Sequence, residues 1–385
     1  MTPAAPAATS EMTISPFVVA GLIGLVVAYL VTPAVQWAAT QFGVLARPGG
    51  RHIHRAPVPR LGGLAVYLAF VAAVLGGLPV ERPIHVTPGP QQLVVTIPYT
   101  PAIDRPVIAL LLGATAVTVL GVVDDARGIS PLAKLVGQIL SAAVLLPFGV
   151  GMDVLTNPLG GMFFVGPLGA LVTVAWLVAL CNVMNLIDGV DGLAAGIAAI
   201  AGGTLFVASY QRGDVGTAIL AMALIGGTVG FLPYNFNPAR IFLGDTGSML
   251  LGYILGALSV LGTYKSYTAL SLLVPLAVLG VPVADTAFAI ARRWRGRRPI
   301  FQADTEHVHH RLLRRGLSQR ETVVVLYLVT GILGAGALFL SGIHRFSLIA
   351  VLGLLLAALA IGARRTGLLA PPPVPAASGR SDAGR

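Results

Sequence analysis

The chain has 385 residues, 56% of them hydrophobic and 10% charged, with a mean hydropathy of +0.85. That balance excludes a soluble globular domain, which could not cover so large an apolar fraction with polar surface. A net charge of +10 invites a nucleic-acid reading, but the cations flank the apolar runs and so mark a membrane protein with no nucleic-acid partner.

Apolar runs of roughly 17 to 25 residues recur from end to end, each long enough to cross the hydrocarbon core as a helix. Eleven spans are predicted, over 16–38, 61–80, 106–123, 134–151, 165–184, 192–210, 216–234, 247–263, 269–290, 322–342 and 346–363. The fold class is therefore all-α, a polytopic integral membrane protein with a single transmembrane domain over 16–363. The first run lacks a basic n-region and is too long for a secretory leader, so it is expected to be retained. Residues 1–15 and 364–385, the latter with Pro371, Pro372 and Pro373, read as disordered tails. Connectors on one side of the membrane, together with the C-terminal tail, carry 20 of the 25 lysines and arginines. The positive-inside rule then puts the N-terminus outside and the C-terminus in the cytoplasm.

Along the chain, the first cytoplasmic connector combines Arg47, Arg51, Arg55 and Arg60 with Pro57, Pro59, Gly62 and Gly63, and reads either as an orientation signal or as a set of anion contacts. The outer connector over 81–105, rich in Pro and Thr, has room for a short hairpin. The third span ends on Asp124 and Asp125, with Lys134 and Gln138 on the next helix. Adjacent carboxylates repel unless a cation or proton lies between them. A hard ion such as Mg2+, held by one or two carboxylates and substrate phosphates, would meet that need, and the plain alternative is a solvated helix end.

The fifth span contains the single cysteine, Cys181, so no disulfide framework exists. It ends in Asn185, Asp188 and Asp191, which a helical turn would put on one side, with Gly189 and Gly192 allowing close backbone approach. Asp-Gly turn chemistry is the alternative there. Between the seventh and eighth spans lie Asn235, Phe242 and Asp245-Thr246-Gly247-Ser248. This last run reads as an N-cap, as a helix start whose free N–H groups hold phosphate beside a metal, or as both. Asp285, inside the ninth span, reads as structural, pairing with Arg292 or capping local polar groups. The connector over 291–321 carries nine arginines together with His307, His309 and His310. The arginines serve as a headgroup anchor. The histidines make a weak zinc signal and a better diphosphate site, backed by Arg311, Arg314 and Arg315.

Taken together, Val58 to Gly63, Asp124 and Asp125 with Lys134 and Gln138, the Asn185–Asp188–Asp191 run, 235–248, and His307, His309 and His310 resemble the polytopic polyprenyl-phosphate N-acetylhexosamine-1-phosphate transferases. That family includes the WecA and TagO branch and the more distant MraY, and the His-Val-His-His form resembles the first branch. The resemblance implies an enzyme of the cytoplasmic membrane that moves sugar-1-phosphate, most simply GlcNAc-1-phosphate, from a UDP-sugar to a polyprenyl phosphate and releases UMP. It would begin a cell-envelope glycan such as lipopolysaccharide or teichoic acid, with Mg2+ or Mn2+ as cofactor, and a homodimer is compatible with it. By position it implies Asp245 and Asp124 as metal ligands, and Asp124 with Asp125 as the pair that orients or deprotonates the acceptor. Phe242 would stack on uracil with Asp188 and Asn185 beside it. Asp191, Asn235, Lys134, His307, His309, His310 and Arg311 would line the donor site. A muramyl-pentapeptide donor is the alternative substrate. A secondary transporter is the rival class, although transporters place their acids near the bilayer midplane rather than at one face.

Overall fold

The computed structural model describes residues 15–46, 57–77, 84–86, 95–97, 104–152, 154–156, 162–266, 276, 279–280, 283–285 and 308–341. Its helices are α1 (Pro16–Gln41), α2 (Gly62–Gly77), α3 (Arg105–Arg127), α4 (Pro131–Ala143), α5 (Leu168–Ile187), α6 (Leu193–Gln211), α7 (Val215–Asn235), α8 (Gly244–Ser266), α9 (Val308–Arg314) and α10 (Gln319–Ser341). All but α9 coincide with the first eight and the tenth expected spans, within a few residues except at the end of α4, which stops at Ala143, eight residues short of the expected limit. Most of the ninth span, the eleventh, both tails, most of the first cytoplasmic connector, Arg292 and His307 lie outside the described residues.

Helix is the form these sequences must take in lipid, where every backbone polar group needs a partner within its own segment. Starts are marked by Pro16, Pro106 and Pro131 in the first turn, a position that needs no amide N–H. Ser130 caps α4 by accepting from the Ala133 N–H at 3.2 Å. Polar groups within the spans are hidden locally: Thr32, Thr118 and Thr228 donate their hydroxyls to carbonyls one turn back. Eight of the described helices are long and apolar enough to cross a membrane. The apolar helix α2, with 16 residues, is about 24 Å long.

The core centres on α8, whose apolar stretch is 89% buried, flanked by α3 and α5. α1 and α2 pack against α7, and α10 packs on α6. By contrast only 22% of the span containing α4 is buried, and it turns Leu132, Val136, Ile139 and Leu140 outward as a lipid-facing surface would. α2 crosses α8 with almost no gap, since a Cβ on Gly63 would lie 2.0 Å from the Gly247 nitrogen. The remaining regular elements among the described residues include a 3-10 turn over Leu146–Phe148 and three antiparallel pairs: β1 (Leu45–Ala46) with β2 (Val58–Pro59), β3 (Ile84–Val86) with β4 (Val95–Ile97), and β5 (Val154–Thr156) with β6 (Met162–Phe164). The second is the hairpin expected in the 81–105 connector.

Candidate active site

At one end of the bundle the C-termini of α3 and α5 meet the N-termini of α4 and α8. The two carboxylates ending α3 have different partners. Asp125 faces inward and accepts three bonds from the start of α8: the Asp245 N–H at 3.0 Å, the Thr246 N–H at 2.9 Å and the Thr246 hydroxyl at 2.7 Å. Gly244, at φ +75°, admits this contact, because a Cβ there would lie 2.5 Å from Asp125 Oδ2. The phosphate-holding reading of the α8 start is therefore corrected at these two amides, since a buried carboxylate already occupies them. The Arg60 guanidinium stands 3.9 Å from Asp125.

Asp124 keeps 9% of its side chain exposed. It accepts the Ile129 N–H at 3.0 Å and pairs with Lys134 Nζ at 2.9 Å. The same ammonium is 2.7 Å from Asp245 Oδ1, which also accepts from the Asn185 amide. Asn185 donates in addition to Ser248 Oγ at 2.9 Å. Thus Asp124, Lys134, Asn185 and Asp245, from four helices, converge on one point, and 26% of the Asp245 side chain remains accessible. One turn deeper, Asn182 donates to Gln138 Oε1 at 2.8 Å, and Gln138 donates to Met249 Sδ at 3.2 Å. This amide ladder locks α4 and α5 to α8 and sets the height of Lys134 and Asn185.

Two loops flank this point. The helical continuation expected through Asp191 does not form, because α5 ends at Ile187 and Gly192 turns the chain at φ +79°. Asn185, Asp188 and Asp191 consequently do not share a face. Asp191, 7% exposed, accepts from the Asn237 amide and the Ala239 N–H, both at 3.0 Å. Asn235, 3% exposed, accepts from the Gly192 N–H at 3.1 Å and donates to the Ile241 carbonyl at 3.0 Å. These two side chains join the loops, which is the work sequence spacing could not assign to them. Half-buried Phe242 is held through its backbone, its N–H donating to the Pro59 carbonyl at 2.8 Å and its carbonyl accepting from Gly62 at 2.9 Å. Burial pushes the Asp188 carboxyl well above the ordinary carboxylate range; Asp245 and Asp125 add to that rise and Arg60 opposes it.

His309 is buried, 1% exposed, beneath this turn: a Cβ on Gly189 would lie 2.9 Å from His309 Nε2. His310 packs against it with ring centroids 4.3 Å apart and the planes tilted by 50°, and Arg311 is half-buried on the same helix. Asp285 accepts from the Val308 N–H at 2.9 Å, the capping role expected of it. Sequence reasoning missed the contributions of Gln319, Arg320 and Tyr327 on α10, because a tyrosine in an apolar span carries no signal of its own.

Among the described residues no group of three His, Cys, Asp or Glu side chains could hold a metal alone. Asp124 and Asp245 nevertheless direct oxygens at a common cation, the Lys134 ammonium. Two hard donors so placed, with further oxygens to come from a phosphate ligand, fit a divalent ion of the Mg2+ type.

Apolar helices that carry carboxylates to one shared end define a polytopic membrane enzyme, and residues 107–263 match the model of glycosyl transferase family 4. The probable undecaprenyl-phosphate N-acetylglucosaminyl 1-phosphate transferase of Bacillus subtilis is 37% identical over 354 residues, covering 91% of this chain and 92% of the relative. The decaprenyl-phosphate N-acetylglucosaminephosphotransferase of Mycolicibacterium smegmatis is 37% identical over 342 residues, 82% of this chain and 80% of that one. The phospho-N-acetylmuramoyl-pentapeptide-transferase of Geobacillus kaustophilus is 31% identical over 328 residues, 80% and 91% respectively. The chain belongs to this family and is a multi-pass membrane phosphosugar transferase.

Proposed function

We propose that the protein transfers N-acetylglucosamine-1-phosphate from UDP-N-acetylglucosamine to a polyprenyl phosphate at the cytoplasmic face of the cell membrane, as the first membrane step of an envelope glycan. The observation that carries this reading is the convergence of Asp124, Lys134, Asn185 and Asp245 at one shared end of four apolar helices. Two relatives of 37% identity, named for acceptors of this kind and for N-acetylglucosamine, favour this sugar over the muramyl-pentapeptide named for the relative at 31%.

In the reaction an oxygen of the acceptor phosphate bonds to the phosphorus that carries the sugar, while the bond from that phosphorus to the UMP oxygen breaks and UMP leaves. Phosphoryl transfer asks a protein chiefly for in-line positioning and charge neutralisation. Asp124 and Asp245 would hold a Mg2+ ion, which when bound offsets charge on the diphosphate. Lys134 keeps the two carboxylates together and presents a donor to the phosphates. Asn185 orients Asp245, and Asp125 fixes the start of α8 beneath it. With both oxygens committed to α8, Asp125 serves as a positioning residue rather than a base or nucleophile. The acceptor, a phosphate monoester with a second pKa near ~6 if it behaves like phosphoserine, is largely dianionic at neutral pH and needs no strong base. Phe242 and Asp188 border the space for the uridine.

Purified protein given radiolabelled UDP-N-acetylglucosamine, polyprenyl phosphate and Mg2+ should move label into chloroform and release UMP in equal amount. Label that stays aqueous with every UDP-sugar offered would overturn the reading.

A further inference from the structure

The turn over 188–192 is bracketed from both ends by the hairpin of α9 and α10. His309 of α9 packs against Gly189 at one end. At the other, the Tyr327 hydroxyl of α10 donates to the Gly192 carbonyl in a short hydrogen bond, and its ring fills the space above Gly196, where a Cβ would lie 1.9 Å from the hydroxyl. The same helix reaches the second loop. The Asn237 amide, which holds Asp191, also donates to Gln319 Oε1, and Arg320 Nε donates to the Asn237 carbonyl at 3.0 Å.

These contacts form a closed circuit. Asn237 ties Asp191 to Gln319, Asn235 ties Gly192 to Ile241, and Tyr327 ties Gly192 to α10. The circuit encloses the turn that carries Asp188 and the segment that leads to Phe242. It does not include Asp124, Lys134 or Asp245, whose hydrogen-bond partners lie on α3, α4, α5, α8 and the α3–α4 connector. The site thus has two separately built halves, one for the phosphates and one bordering the nucleoside.

We propose that Tyr327, Gln319 and Arg320 are positioning residues for the nucleoside half of the donor site, setting donor affinity without entering the phosphate chemistry. This rests on the proposed transferase reading. Tyr327→Phe keeps the ring over Gly196 and removes only the hydroxyl. Loss of one such bond, about 0.5–1.5 kcal/mol, should raise the KM for UDP-N-acetylglucosamine about two- to tenfold, with kcat and the KM for polyprenyl phosphate unchanged. UMP binding, measured by calorimetry without acceptor, should weaken by the same factor. Arg320→Met, at an exposed position, provides a second variant that does not threaten folding and should shift the same two quantities.

A purely structural role would instead lower the active fraction, giving reduced kcat with both KM values fixed, and that result would overturn the proposal. So would a rise in acceptor KM equal to the rise in donor KM, or no change in either variant. Wild-type protein inactive with all UDP-sugars would defeat the function itself, an outcome separate from the variant comparison.

Discussion

Replacing Asp125 by alanine tests whether this carboxylate is a structural fixture of the α8 start. Three donors close on it at 2.7 to 3.0 Å, and its side chain has no exposed surface. Hydrogen bonds to a charged group contribute about 1.5–3 kcal/mol each. The gross gain is partly offset by several kcal/mol for burying the charge. Removal relieves that cost but leaves three donors unpaired, and losses on breaking such buried pairs run about 3–5 kcal/mol. We therefore expect Asp125→Ala in detergent to melt about 5–10 °C lower than wild type. Turnover should fall at least ~100-fold, because Asp245 loses its fixed position. Asp125→Asn, with a single acceptor oxygen, should lie between the two in melting temperature. Asp124→Asn should lose turnover with a smaller thermal shift, since Asp124 holds one backbone N–H and a partly exposed lysine. An unchanged melting curve for Asp125→Ala, or a larger shift for Asp124→Asn, would refute the assignment.

Gly63→Ala drives a methyl into the Gly247 backbone at 2.0 Å and should cost more than ~3 kcal/mol, read as loss of the folded monodisperse peak in size-exclusion chromatography. Lys134→Gln removes the cation that competes for Asp124 and Asp245. The Mg2+ concentration for half-maximal rate should drop about tenfold while kcat falls ~100-fold or more, a lost charge-stabilising donor typically costing that much. Asp188 has a folded-state pKa above its ordinary 3.8, so the folded protein retains a proton that the unfolded chain releases. The associated stability is present at low pH and lost as pH rises through the raised value. Asp188→Asn should accordingly melt higher than wild type at pH 8, with the gap closing toward pH 5, and a pH-independent gap would contradict the sign.

Span positions were legible because lipid imposes one solution on a long apolar run, and α1 through α8 begin and end within a few residues of the expected limits except at the end of α4, where the chain leaves the helix at Ala143. The clustering of acids at one end was equally legible, since acidic residues are few in this chain and Asp124 and Asp245 terminate apolar runs. What spacing could not reveal is which acid does which work. Asp124 and Asp125 are neighbours on α3 separated by about 100° of helical rotation, enough to turn one toward Lys134 and the other into the start of α8. The three-residue rhythm of Asn185, Asp188 and Asp191 implied a common face, yet Gly189 and Gly192 allowed the helix to end and directed Asp191 to the Asn237 loop. Long-range partners such as Tyr327 and Gly192, 135 positions apart, leave no local periodicity to detect.

The amide ladder beneath Lys134 has a mechanical consequence. Among the described spans the one containing α4 is the least buried, and the Gln138–Asn182 bond and its continuation to Met249 lie only one turn below the Lys134–Asp245 contact. A bilayer thicker or thinner than the apolar span pulls or tilts such a helix at a modest cost per ångström of mismatch. Anchored on α5 and α8, the Gln138 rung would oppose such a tilt before it reached the Lys134 ammonium.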